Sequence, residues 1–182
     1  GYLLGYLHFP GKKWVRTVVD TLLALPTVFI GLVVYAFLST RGPLGEWGLL
    51  FTLGGIAIGQ TILALPIIMA LTATAVESLD PALRLTLFSL GASRLQIFLA
   101  SAREAGPGLL IAAVTAAGRV LTEVGISMMV GGNIKWHTRT ITTAIALETN
   151  KGQFATGIAL GMVLLAMAFT VNLALSLLRR RT

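Results

Sequence analysis

The stretch Asp80-Pro-Ala-Leu-Arg-Leu-Thr-Leu-Phe-Ser-Leu-Gly-Ala-Ser93 is an amphipathic interruption between two strongly apolar segments of the chain. It belongs to the loop 76–106, which is far longer than the turn needed to join two helices. Apolar residues recur at three- and four-residue steps on both sides of Gly91, a pattern that predicts two short amphipathic helices. Because this helix pair has no core of its own, its apolar face must pack on the membrane surface, on the rest of this chain or in a groove of a partner.

The composition excludes an ordinary soluble domain. Of the 182 residues, 55% are hydrophobic, only 14 are Lys or Arg and 7 are Asp or Glu, and the mean hydropathy is +0.86. Soluble domains carry about twice this fraction of charge, and disordered chains combine low hydrophobicity with high charge. There is no cysteine, so disulfides, thiolate nucleophiles and Cys-ligated metals are excluded as well. The sequence therefore predicts an integral, all-α membrane protein.

Four segments are long and apolar enough to cross about 30 Å of hydrocarbon as helices. Turn-forming Gly, Pro and Asn residues separate them. The chain also opens inside an apolar run, residues 1–7, which predicts the tail of a helix that precedes this sequence. The predicted spans are 17–38, 49–75, 107–131 and 153–178, with the loop 76–106 and a further segment 132–152 between them.

The distribution of Lys and Arg predicts the orientation, because short cytoplasmic loops retain these residues. If the residues before position 17 lie inside, nine cations fall inside and four outside. The loop 76–106 is then cytoplasmic and the segment 132–152 is external. The net charge of +7 reflects this placement, so no nucleic-acid partner is expected. The terminal Arg179-Arg180-Arg181 predicts contact with anionic membrane lipid.

The 80–93 stretch resembles the coupling loop of type I ABC importer permeases, in which Glu-Ala-Ala is followed after three residues by Gly. Gly91, Ala92 and Ser93 match the central Leu-Gly-Ala-Ser part of that pattern. The family's Glu-Ala-Ala triplet falls on Leu85-Thr86-Leu87 here, so the glycine-centred helix pair is retained but the acidic residue is not. The family's later Leu-Pro falls on Arg103-Glu104.

A second stretch extends the resemblance. Gly118-Arg-Val-Leu-Thr-Glu-Val-Gly-Ile-Ser-Met-Met-Val-Gly-Gly-Asn-Ile134 is similar to a run found in the molybdate and tungstate permease branch of that family. Its Gly-Gly-Asn-Ile end, together with Thr-Thr-Ala-Ile-Ala-Leu-Glu at 142–148, is closer to the tungstate type. Leu-Pro-Thr-Val-Phe-Ile-Gly31 and Arg-Gly-Pro-Leu-Gly45 also resemble this branch, so the similarity covers nearly the whole chain.

The resemblance implies a type I ABC importer transmembrane domain, the permease subunit of an ATP-driven importer for an oxyanion, with tungstate favoured. A permease for molybdate, sulfate or another solute is the alternative. The resemblance also implies a second copy of the chain, a cytoplasmic ABC ATPase dimer that holds ATP and Mg, and an external oxyanion-binding protein, all at a prokaryotic inner membrane. The residues implied in coupling to the ATPase are Asp80, Pro81, Leu83, Arg84, Leu87, Leu90, Gly91, Ala92, Ser93 and Arg94.

Two ionisable residues fall inside a predicted span. Arg119 and Glu123 are four residues apart, so a continuous helix would place them on one face, where they could neutralise each other. This pattern fits a structural ion pair as well as a gate of a transport pathway. Gly-Gly-Asn133 is typical of a left-handed helix end, although Asn133 could also meet an oxyanion. The residues predicted to line the pathway or gate are Arg119, Thr122, Glu123, Ser127, Gly131 and Asn133.

The sequence contains no motif for a catalytic role. It has no Gly-x4-Gly-Lys-Ser/Thr phosphate-binding loop, and its two His residues have no ligand at metal-binding spacing. The chain is therefore predicted to be no enzyme, to hold no cofactor itself and to depend on another subunit for energy. The rival interpretation is an ion-gradient transporter or channel without an ATPase, in which Glu123 would be the titrating carboxylate.

Overall fold

The computed structural model describes residues 1–7 and 9–179, which form ten α-helices and one 3₁₀ turn. Arg180 and Arg181, part of the predicted lipid-contacting end, lie outside the described residues. The helices are α1 Tyr2–Tyr6, α2 Lys12–Leu23, α3 Thr27–Leu38, α4 Leu53–Glu77, α5 Pro81–Ser89, α6 Arg94–Glu104, α7 Gly106–Leu121, α8 Gly125–Gly131, α9 Ile141–Asn150 and α10 Phe154–Arg179.

Side-chain caps and a glycine set the limits of α5 and α6. The Asp80 carboxylate accepts the backbone N–H of Ala82 at 2.8 Å and so begins α5. Ser93 begins α6 through a capping box with Gln96. Between the two helices, Gly91 has a φ of +79°, which only glycine adopts at no steric cost. The predicted pair of short helices with a break at Gly91 is confirmed.

Two helices, α4 and the part Phe154–Leu173 of α10, are each long and apolar enough to span a membrane alone. They correspond to the predicted spans 49–75 and 153–178. Two further pairs, α2 with α3 and α6 with α7, reach this length and hydropathy only if each pair is one broken span. The total of four spans therefore stays a prediction.

Two of the predicted spans are not continuous helices. The span 17–38 is divided at Pro26, because a proline ring in a helix interior clashes with the preceding turn and removes a hydrogen bond. The span 107–131 is divided into α7 and α8, which residues 122–124 separate. Pro66, in contrast, lies inside the continuous helix α4.

The chain forms two compact units, and the first comprises Gly1–Ala24 and Leu65–Ala116. Its core is small and brings α1, α2 and the second half of α4 together. Alanine contributes half of the buried core residues, so the helix backbones can approach closely. These core residues are Leu4, Val19, Ala70 and Ala73, with Met69 packed against them.

The second unit comprises Leu25–Ala64 and Ala117–Thr182. Its larger core joins α3, the first half of α4 and α8. A Cβ added to Gly59 of α4 would lie 2.4 Å from Cγ2 of Ile126, so the glycine permits this close packing. The buried core residues are Ile30, Val34, Leu38, Leu63, Ile126 and Val130.

Candidate functional site

Helix α5 has an exposed apolar face. Leu85, Phe88 and Leu90 are 70%, 74% and 77% exposed, although each is a large apolar side chain. Leu83 and Leu87, which the resemblance implied in coupling, are half-buried instead. Because α5 is apolar around most of its circumference, periodicity alone does not tell which leucines face the core. Leu85 and Phe88 are therefore exposed candidates that sequence analysis did not select.

The turn between α5 and α6 has a defined structure next to this face. A Cβ at Gly91 would meet nothing within 4 Å, so the glycine is required by its backbone conformation and not by lack of space. Ser93 Oγ accepts the N–H of Gln96 at 3.3 Å, and the Ser93 N–H donates to Oε1 of Gln96 at 2.7 Å. Arg94 is exposed and Ala92 is half-buried.

A second candidate site lies at the α7–α8 break. Glu123 follows the end of α7 and is only 3% exposed. Its carboxylate oxygen Oε1 accepts the backbone N–H of Ile126 at 3.1 Å. The carboxylate thus caps the first turn of α8, where free N–H groups and the helix dipole favour a negative charge.

The predicted pairing of Arg119 with Glu123 is wrong. Helix α7 ends at Leu121, so the two residues do not share a face of one continuous helix. Among residues 1–7 and 9–179, no ion pair within 4.0 Å joins them. Arg119 and Thr122 are both exposed, and the Thr122 hydroxyl donates to the Gly118 carbonyl at 3.1 Å. They therefore differ in environment from the buried carboxylate.

Hydroxyl and amide groups satisfy the backbone at the break. The Glu123 carbonyl accepts Oγ1 of Thr142 at 2.9 Å and Oγ of Ser127 at 3.5 Å. Nε2 of Gln60 donates to Oγ of Ser127 at 3.4 Å, and Oγ1 of Thr140 lies 2.9 Å from Oγ1 of Thr142. These bonds connect α4, α8 and the start of α9. Backbone N–H and C=O groups outside a helix need hydrogen-bond partners from neighbouring protein when they lie in a membrane, and at the break Thr142 and Ser127 are such partners for the Glu123 carbonyl.

A cavity of about 170 Å³ lies beside these polar groups. Gln60, Glu123, Thr140 and Thr142 are its polar lining residues, and the two threonine hydroxyls already bond to each other. An oxyanion here would meet a carboxylate and engaged donors, so the cavity does not suit an anion. In the described part of the chain, no three His, Asp or Glu side chains are grouped to hold a metal.

The turn after α8 is also fixed by side chains. Gly132 and Asn133 have φ values of +68° and +50°, so the left-handed helix end predicted from Gly-Gly-Asn is confirmed. Oδ1 of Asn133 accepts Nε of Arg139 at 3.1 Å, and Nδ2 of Asn133 donates to the Thr143 carbonyl at 3.5 Å. The Asn133 amide is therefore engaged within the turn.

The six predicted pathway residues thus fall into separate environments. Glu123, Ser127 and Gly131 are buried in the second unit, and the structure brings the first two into contact. Arg119 and Thr122 are exposed on or just after α7. Thr142 also belongs to this site, but the sequence did not indicate it. Its hydroxyl donates to the Glu123 carbonyl, 19 residues earlier in the chain, and no local sequence pattern predicts such a bond.

Two helices that can each span a membrane, together with polar residues at a helix break, define the class as a helical membrane protein. The chain belongs to the family described as binding-protein-dependent transport system inner membrane component, which matches residues 1–182. The protein is therefore an ABC importer permease subunit of the inner membrane. In this family the ATPase is a separate subunit, and a substrate-binding protein is a further partner.

Three relatives are similar over nearly the whole chain. The tungstate uptake system permease protein TupB of Campylobacter jejuni is 48% identical over 175 residues, 96% of this chain and 73% of that protein. A probable anion ABC transporter permease protein of Haloferax volcanii is 43% identical over 184 residues, 98% of this chain and 79% of that protein. TupB of Peptoclostridium acidaminophilum is 40% identical over 172 residues, 94% of this chain and 75% of that protein.

Proposed function

We propose that this chain is the permease subunit of an ATP-driven importer that takes up tungstate. The observation that carries the proposal is the similarity to two tungstate uptake permeases over 96% and 94% of this chain. The relative named as an anion permease, similar over 98% of the chain, supports the broader substrate class. The tungstate-type Gly-Gly-Asn-Ile134 and 142–148 stretches support the same choice.

The exposed face of α5 supports docking to the ATPase. Burial of Leu85, Phe88 and Leu90 would stabilise a complex by about 1.5–3 kcal/mol for each side chain, before the cost of association. Each of two copies of the chain would insert this face into a groove of a cytoplasmic ATPase dimer, which holds ATP and Mg. Closure of that dimer would move both α5 helices and rock the spans between inward and outward access.

Arg119 supports a transport pathway shared by the two copies. A guanidinium group in an apolar helix requires water, an anion or a protein partner, and Arg119 is exposed on the single chain. Arg119 and Thr122 would meet the passing oxyanion with one cation and one hydroxyl, a weak site that allows release. Glu123 and Ser127 would act indirectly, because they fix the start of α8.

The outer surfaces support two further partners. Exposed apolar side chains occur along the length of α10, as expected of a helix that faces lipid. The fixed turn after α8 and the helix α9 would receive the external oxyanion-binding protein. The exposed apolar residues of α10 include Phe154, Ile158, Met162, Leu165 and Phe169.

Co-purification from the native membrane tests the coupling step. We expect an ATPase with a phosphate-binding loop to be recovered with the unsubstituted chain, and to be lost with Phe88→Ser. Leu165→Ser on α10 is the matched control, because Leu165 is 70% and Phe88 74% exposed, and it should retain the ATPase. Full recovery of the ATPase with Phe88→Ser would contradict the proposed role of α5.

Competition uptake tests the substrate. Vesicles that contain the complete importer should take up labelled tungstate, and unlabelled tungstate should compete better than molybdate or sulfate. If molybdate or sulfate competes better, the tungstate assignment is wrong and the permease class stands. If uptake needs an ion gradient and no ATP, the importer proposal itself is contradicted.

A further inference from the structure

Helix α1 approaches the end of α4 more closely than side chains would allow. A Cβ added to Gly5 would lie 2.6 Å from the carbonyl oxygen of Ala73 and 2.8 Å from Cβ of Val76. Leu4, next to Gly5, is buried in the core of the first unit. The two helices therefore meet backbone to backbone, a contact that resists sliding.

The same short helix contacts α5 through a cation. The guanidinium carbon of Arg84 lies 4.0 Å from the centroid of the Tyr6 ring, which is the geometry of a cation–π interaction. Nη1 of Arg84 also donates to the Tyr6 carbonyl at 3.4 Å. Arg84 is half-buried by these contacts, whereas the neighbouring Leu85 is exposed.

The contact of α1 with α6 is aromatic. The Tyr2 hydroxyl donates to the Phe98 carbonyl at 2.8 Å. The Phe98 ring stands edge-on to the rings of Tyr2 and Tyr6, with centroid distances of 4.8 and 5.2 Å. This edge-to-face arrangement is the favoured geometry of aromatic pairs.

A second cation joins the end of α1 to the end of α4. Nζ of Lys12 donates to the Gly5 carbonyl at 3.2 Å and lies 3.0 Å from Oε1 of Glu77. Cations near a helix C-terminus stabilise its free carbonyl groups. Helix α1 therefore has Arg84 and Lys12 at its C-terminal carbonyls, and one of the two is bound to α4.

We propose that α1 is a positioning link that holds the α5–α6 pair and the end of α4 as one rigid piece. The α1 link is defined by Tyr2, Tyr6, Arg84 and Phe98. Leu85 and Phe88 of α5 are exposed, so these two side chains provide no contact that would resist displacement of α5. With the link intact, a movement of α5 by the ATPase reaches the membrane helix α4; without it, α5 moves alone. This inference rests on the proposed function of α5.

The test measures anion transported per ATP hydrolysed by the complete importer in vesicles. Tyr6→Leu should lower this ratio about three- to tenfold, with the ATPase still bound, and Arg84→Ala should lower it by a similar factor. Tyr6→Phe retains the ring and should stay near the unsubstituted ratio. Arg103→Ala is the matched control, since Arg103 is an exposed arginine of α6 outside the link.

A cross-link provides the second measurement, and it does not depend on the stability of Arg84→Ala. The chain contains no Cys, so Tyr2→Cys with Phe98→Cys introduces a single thiol pair into this chain. This variant should have a lowered ratio, which a short bifunctional thiol reagent should restore. If complete cross-linking leaves the lowered ratio of the double-cysteine variant where it was before the reagent was added, the link is contradicted.

The outcomes separate the two proposals. If Arg84→Ala and Tyr6→Leu bind the ATPase and transport as much anion per ATP as the unsubstituted chain, the α1 link is overturned and the proposed function stays intact. A chain that binds no ATPase even without substitution would overturn both. If Arg103→Ala lowers the ratio by as much as the link variants do, the link is also contradicted, because that loss would not be specific to the α1 contacts.

Discussion

The α5–α6 pair and the α7–α8 break use polarity in opposite ways. In the pair, large apolar side chains such as Phe88 are exposed, and polar side chains act at the helix ends. At the break, a carboxylate, hydroxyls and an amide are buried and bonded to backbone or to one another. Exposure therefore differs between the two regions: the pair leaves an apolar surface uncovered, which fits the proposed docking of a partner, and the break holds its own fold together.

The largest loss of stability is expected beside the break, where α4 packs on α8. Ile126→Ala should lower the free energy of unfolding by about 2–5 kcal/mol, and Gly59→Ala by about 1–3 kcal/mol, because its Cβ collides with Ile126. The double variant should be more stable than Ile126→Ala alone, since the new methyl group occupies the vacated space. Denaturant unfolding in mixed micelles measures this. Simple addition of the two losses would show that the packing is not as tight as described.

The next effect concerns the buried carboxylate. Glu123→Ala should cost about 1–3 kcal/mol, because the buried N–H of Ile126 loses its acceptor. Glu123→Gln retains an acceptor and should stay closer to the unsubstituted protein in both unfolding and transport assays. A fully stable Glu123→Gln protein that no longer transports would make Glu123 a gating carboxylate, and the break would then serve transport as well as stability.

The turn of the pair should be less sensitive. Gly91→Ala should cost about 1–2 kcal/mol, because an L-residue is strained at positive φ. Gly91→Asn should cost less, since Asn tolerates this conformation. Unfolding of the three proteins under identical conditions gives the order Gly, Asn, Ala. Equal stability of Gly91→Ala and the unsubstituted chain would mean that the turn is not held at +79°.

Substitutions at the start of α5 and on its exposed face should change the free energy of unfolding least. Asp80→Ala should cost about 1 kcal/mol by loss of the helix cap, and Asp80→Asn should recover most of it. Leu85→Ser should change stability by less than about 0.5 kcal/mol, because the side chain is exposed. A large loss in Leu85→Ser would show that the face packs within this chain and would remove the contrast with the break.

Local signals predicted the pair well. Asp80, Gly91 and Ser93 act at the positions where their own chemistry limits a helix, so the sequence contained the information. The left-handed end at Gly132-Asn133 is of the same kind. The resemblance to importer permeases also rested on these stretches, and the family membership confirms it.

The break was not predictable, because distant residues stabilise it. Residues 118–124 contain neither Pro nor a turn-forming pair that would end a helix after Leu121. Where α7 ends, the Glu123 carbonyl needs a hydrogen-bond donor, and the hydroxyl of Thr142, 19 residues further on, provides it. The contact between Arg84 and Tyr6 joins residues 78 positions apart. Such tertiary partners override a local pattern that favours one continuous span.

Pro66 gives α4 a property that its continuous path conceals. The chain passes from one compact unit to the other between Ala64 and Leu65, one residue before this proline. Because proline has no N–H, the carbonyl of Ile62 lacks its helical donor at that point. In amide hydrogen exchange we therefore expect the two halves of α4 to open separately, each with its own unit as a cooperative block. Helix α4 would then be one element in its geometry and two in its local unfolding.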